Sequence, residues 1–367
     1  MPERLYKVAF ASLKGMTCRF GRDMLGHLGS EELFFTASTS QLKSVLGFDN
    51  KILEKGYREE VLEKAKRECE FIDNHNIKTF YFNSPDYPAR LLECDDAPAI
   101  LYGIGNECFN AAHVISIVGT RHATVYGIGF VKELVEALAR QLDDVAVISG
   151  LAYGIDISAH KESLKNGVPT IGVLAHGLDS IYPAAHRNVA ATIVKSNGML
   201  LTEYGHDSPV HRGNFLARNR IVAGLADCTL VVESAEKGGA MITARIASGY
   251  NRDVFALPGR ITDQYSRGCN RLISTNVASL VQTPEDLMTL MGWEMKNKGT
   301  EDAKLFYQPT PEEQKILDFL TKNGEGFINR ISVETGMPIH RLMGLLVDME
   351  FKGLIVNQPG GMYCLKV

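Results

Sequence analysis

The chain has seven cysteines, and no two of them stand in CxxC spacing. Cys18, Cys69, Cys94, Cys108, Cys228, Cys269 and Cys364 are scattered and odd in number, which argues against a disulfide framework and against a thiolate zinc site. Long apolar runs are lacking as well. The stretch MPERLYKVAFASLKG carries charges on both sides of a short apolar segment, without the core and cleavage site of a secretory signal, and no segment reaches membrane-spanning length. The expectation is a cytoplasmic protein with no membrane partner. Catalytic signatures are equally scarce: GxxxxGK followed by Ser or Thr, GxSxG and HExxH are all absent. Nor is there an excess of one charge. With 39 Lys and Arg against 43 Asp and Glu the net charge is −4, which excludes a basic coat like that of a bulk nucleic-acid packer but leaves room for a local cationic groove.

What is present is enough for two or three domains: 367 residues, 45% of them apolar, with 34 glycines. Residues 1–75 read as a small helical domain of short helices between glycine turns, ending in the charged helix YREEVLEKAKRECEFIDN. Residues 76–295 form the main body. Within it, from His113 to about Leu290, the apolar runs VISIV, VAVIS, TIGVLA, GMLLTE, CTLVVE and DVFAL alternate with helical stretches. This pattern predicts an α/β fold, an extended Rossmann-like, doubly wound, mostly parallel sheet whose ligands lie beyond the carboxyl ends of the strands. Residues 296–310 read as a linker, and 311–367, three short helices and two strands around QPGG, as a winged helix. The expected recognition helix of that domain offers only His340 and Arg341 before the apolar and acidic LMGLLVDME, which favours protein contact over groove reading.

The first strand and turn, SIVGTRHATVYGIG, resemble a dinucleotide fingerprint, but Arg121 replaces the second glycine. The next strand ends in Ser149 and Gly150 where a ribose-binding acid would stand. NAD or FAD is therefore not expected, nor any other cofactor or metal. Asp156 and His160 lie four apart on one helix and could form an acid/base pair; the favoured reading has Asp156 capping the helix and His160 supporting the turn beside it.

The turns after the strands instead gather glycines, hydroxyls and helix starts with Arg121, Arg187, Arg212, Arg218, Arg220, Arg245 and Arg271. Free amides and fixed cations make an anion site without a catalyst. From Ser208 to Ala226 there are three arginines and no acid. Tyr126, Tyr153, Tyr182 and Phe215 are interleaved with these turns, and rings of this kind stack on bases that are not already paired. The combination points to single-stranded nucleic acid. Most of the rings can equally be packing, and at least one of Arg218 and Arg220 is expected to pair with Glu203 or Glu233.

In chain order, SIVGTRHATVYG, SGLAYGIDISAHKESL, GLDSIYPAAHRN, LLTEYG, NFLARNRIVAGLAD, VVESAEKGGAMITARIA, VFALPG and GCNRLI resemble the DNA-processing protein A family, also called DprA or Smf. The resemblance implies a non-enzymatic protein that shields incoming single-stranded DNA during natural transformation and loads the RecA recombinase onto it. It also implies a homodimer formed through the Rossmann domain. Carried over position by position, it places DNA contacts at Gly119, Thr120 and Arg121, at Gly150, Tyr153 and Gly154, and at Arg212 and Phe215 with His211 as an alternative base. Further contacts fall at Arg187 (or His186), Arg218, Asn219, Arg220, Gly238, Gly239, Thr243 and Asn270. The stretch KGGAMITA departs from the family's SGSLxTA, losing one hydroxyl and leaving Thr243.

Two alternatives stand beside this reading. One is an interaction scaffold acting through the winged helix. The other is a nucleotide phosphoribohydrolase of the lysine-decarboxylase-like group, whose PGGxGTxxE motif carries a catalytic glutamate. Here Ala244, Arg245 and Ile246 follow the threonine, so the carboxylate is missing. Incubation with AMP is accordingly expected to release no free adenine, measured by chromatography.

Overall fold

A computed structural model describes residues 2–296, 309–352, 354–358 and 361–365. They fall into two compact units, Met1–Met295 and Lys296–Val367. Apart from Lys296, Pro309 and Thr310, the expected linker lies outside the described residues.

The first unit opens with helices α1 (Pro2–Ala11), α2 (Cys18–Leu28), α3 (Glu31–Thr36), α4 (Thr39–Leu46) and α5 (Lys55–His75). Thr17, Ser30 and Ser38 cap α2, α3 and α4, each hydroxyl accepting from an amide of the first turn. The sheet follows: β1 (Lys78–Tyr81), α6 (Ala89–Leu92), β2 (Ile100–Gly105), β3 (His113–Val118), α7 (Val125–Gln141), β4 (Val145–Ser149), α8 (Ile155–Lys165) and β5 (Thr170–Val173). It continues through α9 (Arg187–Lys195), β6 (Met199–Thr202), α10 (Arg212–Gly224), β7 (Cys228–Val231), α11 (Gly239–Gly249) and β8 (Asp253–Ala256). Helix α12 (Arg267–Ser274), β9 (Ser279–Leu280) and α13 (Pro284–Leu290) complete the unit.

The nine strands lie in the order β1-β2-β6-β5-β4-β3-β7-β8-β9. From β6 to β9 every neighbour is parallel, while β2 pairs antiparallel with both β1 and β6. All six expected strands are present and the Rossmann-like class holds. The antiparallel extension β1–β2 was not anticipated.

Side chains alternate between the two faces with the period of a strand. Val114, Ala146, Ile148, Ile171 and Val173 belong to one buried cluster that holds Ile221, Val222, Ala240 and Ala244 of α10 and α11 and extends to Val8, Phe10, Phe34 and Ile72 of the amino-terminal helices. Ile115, Ile117, Val145 and Val147 meet Phe130, Val131, Leu134 and Leu138 of α7 in the other. Both faces of the parallel strands are therefore covered, which explains their unbroken apolar sequences. Among the described residues no helix is long and apolar enough to cross a membrane.

The second unit holds α14 (Pro311–Asn323), β10 (Glu325–Phe327), α15 (Ile328–Thr335), α16 (Ile339–Phe351), β11 (Ile355–Gln358) and β12 (Met362–Leu365). Its strands form an antiparallel sheet, β10-β12-β11, over a core that includes Ile316, Leu320, Ile331, Leu342, Leu346 and Ile355.

One ion pair ties the antiparallel extension to the parallel sheet. Arg90 on α6 donates from Nε and Nη2 to the two carboxylate oxygens of Asp227 at 2.5 and 3.0 Å, and Asp227 also accepts the Val114 amide at 2.7 Å. Because both partners are largely buried, removing one strands the other. Arg90→Ala is expected to lower unfolding stability by about 2–3 kcal/mol in urea titration, the scale of charged hydrogen bonds.

Candidate functional site

Strand β3 has β4 on one side and β7 on the other, so the connections leaving β3 and β7 diverge. Such a switch point opens a crevice beyond the carboxyl ends of the strands. A cavity of about 290 Å³ occupies it. Gly119, Thr120 and Arg121 follow β3 into its wall, Gly150 follows β4, and Gly238, Gly239 and Thr243 belong to the start of α11. Phe215, Leu216, Arg218 and Asn219 reach it from α10.

The turns are held against one another by backbone contacts that require glycine. Gly154 has φ +78°, and a Cβ there would lie 2.1 Å from the Thr120 carbonyl oxygen. That same carbonyl accepts the Ile155 amide at 3.1 Å, so the turn after β3 is fastened to the start of α8. Its other side is fastened to β7. The Thr120 amide donates to the Glu233 carbonyl at 2.7 Å, and Thr124 donates its amide and hydroxyl to the buried Glu233 carboxylate at 2.9 and 2.6 Å. Arg121 and His122 are left exposed between these anchors.

The cations sort into two sets. Arg121 is exposed, and its guanidinium lies 5.8 Å from the Phe215 ring centroid. Phe215 meets Tyr182 edge-on at 5.7 Å. Arg212 and Arg187 are exposed first residues of α10 and α9, where the helix dipole repels a cation. Neither position helps the fold. His211 is the N-cap of α10, accepting the Gly213 amide on Nδ1 at 3.1 Å. His186 is buried with Nδ1 against the Leu151 carbonyl oxygen at 2.8 Å, so of the two alternatives after YP it is Arg187 that faces solvent. Tyr153 is 47% exposed and packs edge-on against His186.

The second set is spent inside the protein. Arg218 is buried, donating to the Gly150 carbonyl at 2.7 Å and to that of Val173. A Cβ at Gly150 would sit 2.4 Å from its guanidinium. Burial lowers its pKa, opposed by nearby Asp156. Burial raises the Asp156 pKa in turn, opposed first by Arg218. Arg220 pairs with Glu203, as expected for one of the two, and donates to the Asp96 carbonyl at 2.6 Å. Asn270 brackets Gly259, accepting its amide at 3.2 Å and donating to its carbonyl at 2.8 Å. Thr243 is buried, with its hydroxyl 3.5 Å from the Gly239 carbonyl oxygen.

The Asp156–His160 reading needs correction. Gly154, not Asp156, is the N-cap of α8, and Asp156 accepts the Gly150 amide at 3.2 Å. His160 bonds Thr170 on β5 at 2.8 Å. No hydrogen bond between the two is present among the described residues, so what changes is the capping role expected of Asp156 and the turn-supporting role expected of His160. Asp156 is the only carboxylate lining the cavity among the described residues, and it is committed to Arg218 and backbone amides. Tyr265 and Leu216, which sequence reasoning passed over, also line it. Tyr265 was legible as a ring in the turn after DVFAL, the last of the expected strands.

The family model described as DNA recombination-mediator protein A matches residues 78–292. The chain belongs to this family. Protein Smf of a Synechocystis species is 31% identical over 98% of each chain. The X-ray structure of DNA processing protein A from Streptococcus pneumoniae matches with a TM-score of 0.65 at 29% identity, covering 79% of this chain and 97% of that one. DNA processing protein A from Helicobacter pylori, solved to show its single-stranded DNA binding mode, matches with a TM-score of 0.53 at 28% identity, covering 60% of this chain and 97% of its own. The family match spans the whole parallel sheet and every turn around the cavity.

Burial also fixes one titration. It drives the His160 pKa down from 6.5 to about 3, so the folded protein keeps this ring neutral while the unfolded chain protonates it. Between those values stability contributed by His160 falls as the pH drops, by up to about 1.4 kcal/mol per pH unit. Urea titrations of wild type and His160→Gln across this range are expected to differ in slope by that amount. Gly154→Ala is expected to cost roughly 2 kcal/mol or more by the same measurement, because strained φ and a backbone clash coincide.

Proposed function

We propose that this chain binds single-stranded DNA at the switch-point cavity, protects it, and loads the RecA recombinase onto it during natural transformation and homologous recombination, without catalysing a reaction. One observation carries the proposal: the exposed Arg121 guanidinium stands at a cavity whose one acid among the described residues is already engaged, beside the Phe215 ring that Tyr182 backs edge-on. A cation without an ion-pair partner among the described residues, a stacking ring and backbone amides match a phosphate followed by an unpaired base. The named binding mode of the Helicobacter pylori relative supports the choice of ligand.

In this reading Arg121, Arg187 and Arg212 supply charge, and the amides around Gly119, Thr120, Gly238 and Gly239 meet phosphate. Phe215 and Tyr153 offer rings, and Asn219 lines the cavity. Arg218, Arg220, Asn270 and Gly154 act by positioning. His211 and Thr243 serve their own helices. RecA as partner and the homodimer through the Rossmann-like unit rest on the family resemblance, and a cytoplasmic location on the sequence reading given above.

The same proposal assigns 1–75 to a small helical domain, 76–295 to the DNA-binding domain and 311–367 to a winged helix used for protein contact. In α16 the apolar Ile339, Met343 and Val347 are exposed, and Arg341 is engaged by Glu312 at 2.7 Å. That surface suits a protein better than a DNA groove.

Fluorescence anisotropy should show tighter binding of oligo(dT) than of duplex DNA, with affinity falling steeply with salt as counterions are released. Arg121→Ala is expected to weaken oligo(dT) binding by about 1–3 kcal/mol. A flat salt response, or full affinity in Arg121→Ala, would overturn the proposal.

A further inference from the structure

We propose that a second cavity, formed by the loop 258–267 and the start of α7, takes the next nucleotide of the same strand, so that single-stranded polynucleotide passes from the switch-point cavity across Tyr265 into it. The inference rests on the function proposed above. The second cavity holds about 860 Å³, and Tyr265 lines both. The Tyr265 ring lies nearly parallel to that of His122, with centroids 6.0 Å apart and planes inclined by 22°. His122 follows Arg121 in the chain, so the shared wall carries a ring platform next to the cation of the first site.

Beyond that wall the lining supplies what a nucleotide needs. The Tyr126 ring is 52% exposed, and its hydroxyl donates to the Pro258 carbonyl at 2.7 Å, which fixes the ring at the cavity edge. Arg260 is exposed, and its guanidinium has no partner among the described residues, leaving it available to a phosphate. Val125 and Ile261 are 89% and 84% exposed, and the chain neighbours of each line the cavity. Apolar groups so placed would be covered by a base.

Two acids also line the space. Glu233 is spent on Thr124, whereas Asp263 is exposed and can accept from the N3–H of a thymine or the amino group of another base. The loop is already set: Asn270 brackets Gly259, the Ser234 amide donates to the Tyr265 carbonyl at 2.6 Å, and the Gly268 amide donates to that of Ser234 at 2.9 Å. A ligand would therefore find little left to order.

The test is anisotropy with a ladder of oligo(dT) from dinucleotide to dodecanucleotide. Wild type should gain affinity once the oligomer fills both cavities. Arg260→Glu and Tyr126→Ala should bind the dinucleotide as wild type does and lose about tenfold on the longer oligomers. Arg260→Glu should also reduce the salt slope by about 0.7, one phosphate contact on a single strand. Since Arg260 is exposed, its variant should keep the wild-type thermal transition. Variants that follow wild type at every length, or lose equally at every length, would overturn the second site. Wild type that binds no oligomer would overturn the underlying function instead.

Discussion

Arg218 is the constraint on which the site depends. It crosses from α10 to the carbonyl ends of β4 and β5, and its charge is balanced by buried Asp156. Isolating a charge from water is so unfavourable that a guanidinium persists there only with its hydrogen bonds made. The consequence is positional. Once Arg218 is docked, the turn of α10 before it presents Phe215 to the cavity, and the turn before that ends at Arg212. Asp156, held by the same charge, receives the Gly150 amide and so joins the turn after β4 to the same assembly. The outward cations are displayed by an inward one.

Much of the fold was legible because apolar runs of β-branched residues alternate with helical stretches, and burial on both faces leaves that signature unmixed. β1 and β2 were not. KTFY begins with a lysine and has no Val or Ile, and ILYGIG carries two glycines, so neither resembles the β-branched apolar runs of the parallel strands. The direction in which β2 enters the sheet is a matter of tertiary pairing with β6, which no local pattern records.

Within the site, residue type was readable and residue fate was not. Arg121 and Arg218 look alike in sequence, yet the first faces solvent and the second is wrapped by carbonyls. What separates them is a contact with Gly150, 68 residues away. Asp156 likewise lies near the start of a helical stretch, two residues after a glycine, but Gly154 takes the capping position because the backbone of Thr120 leaves no space for a side chain. Ring positions were visible, whereas the pairing of His122 with Tyr265 brings together two distant turns.

The arginines that begin α9 and α10 have a wider consequence. Each places positive charge against the positive end of a helix, an opposition that no carboxylate relieves among the described residues. Any polyanion docked there removes that opposition and shifts the folding equilibrium by mass action. If a polyanion binds there, occupancy and melting temperature become coupled quantities.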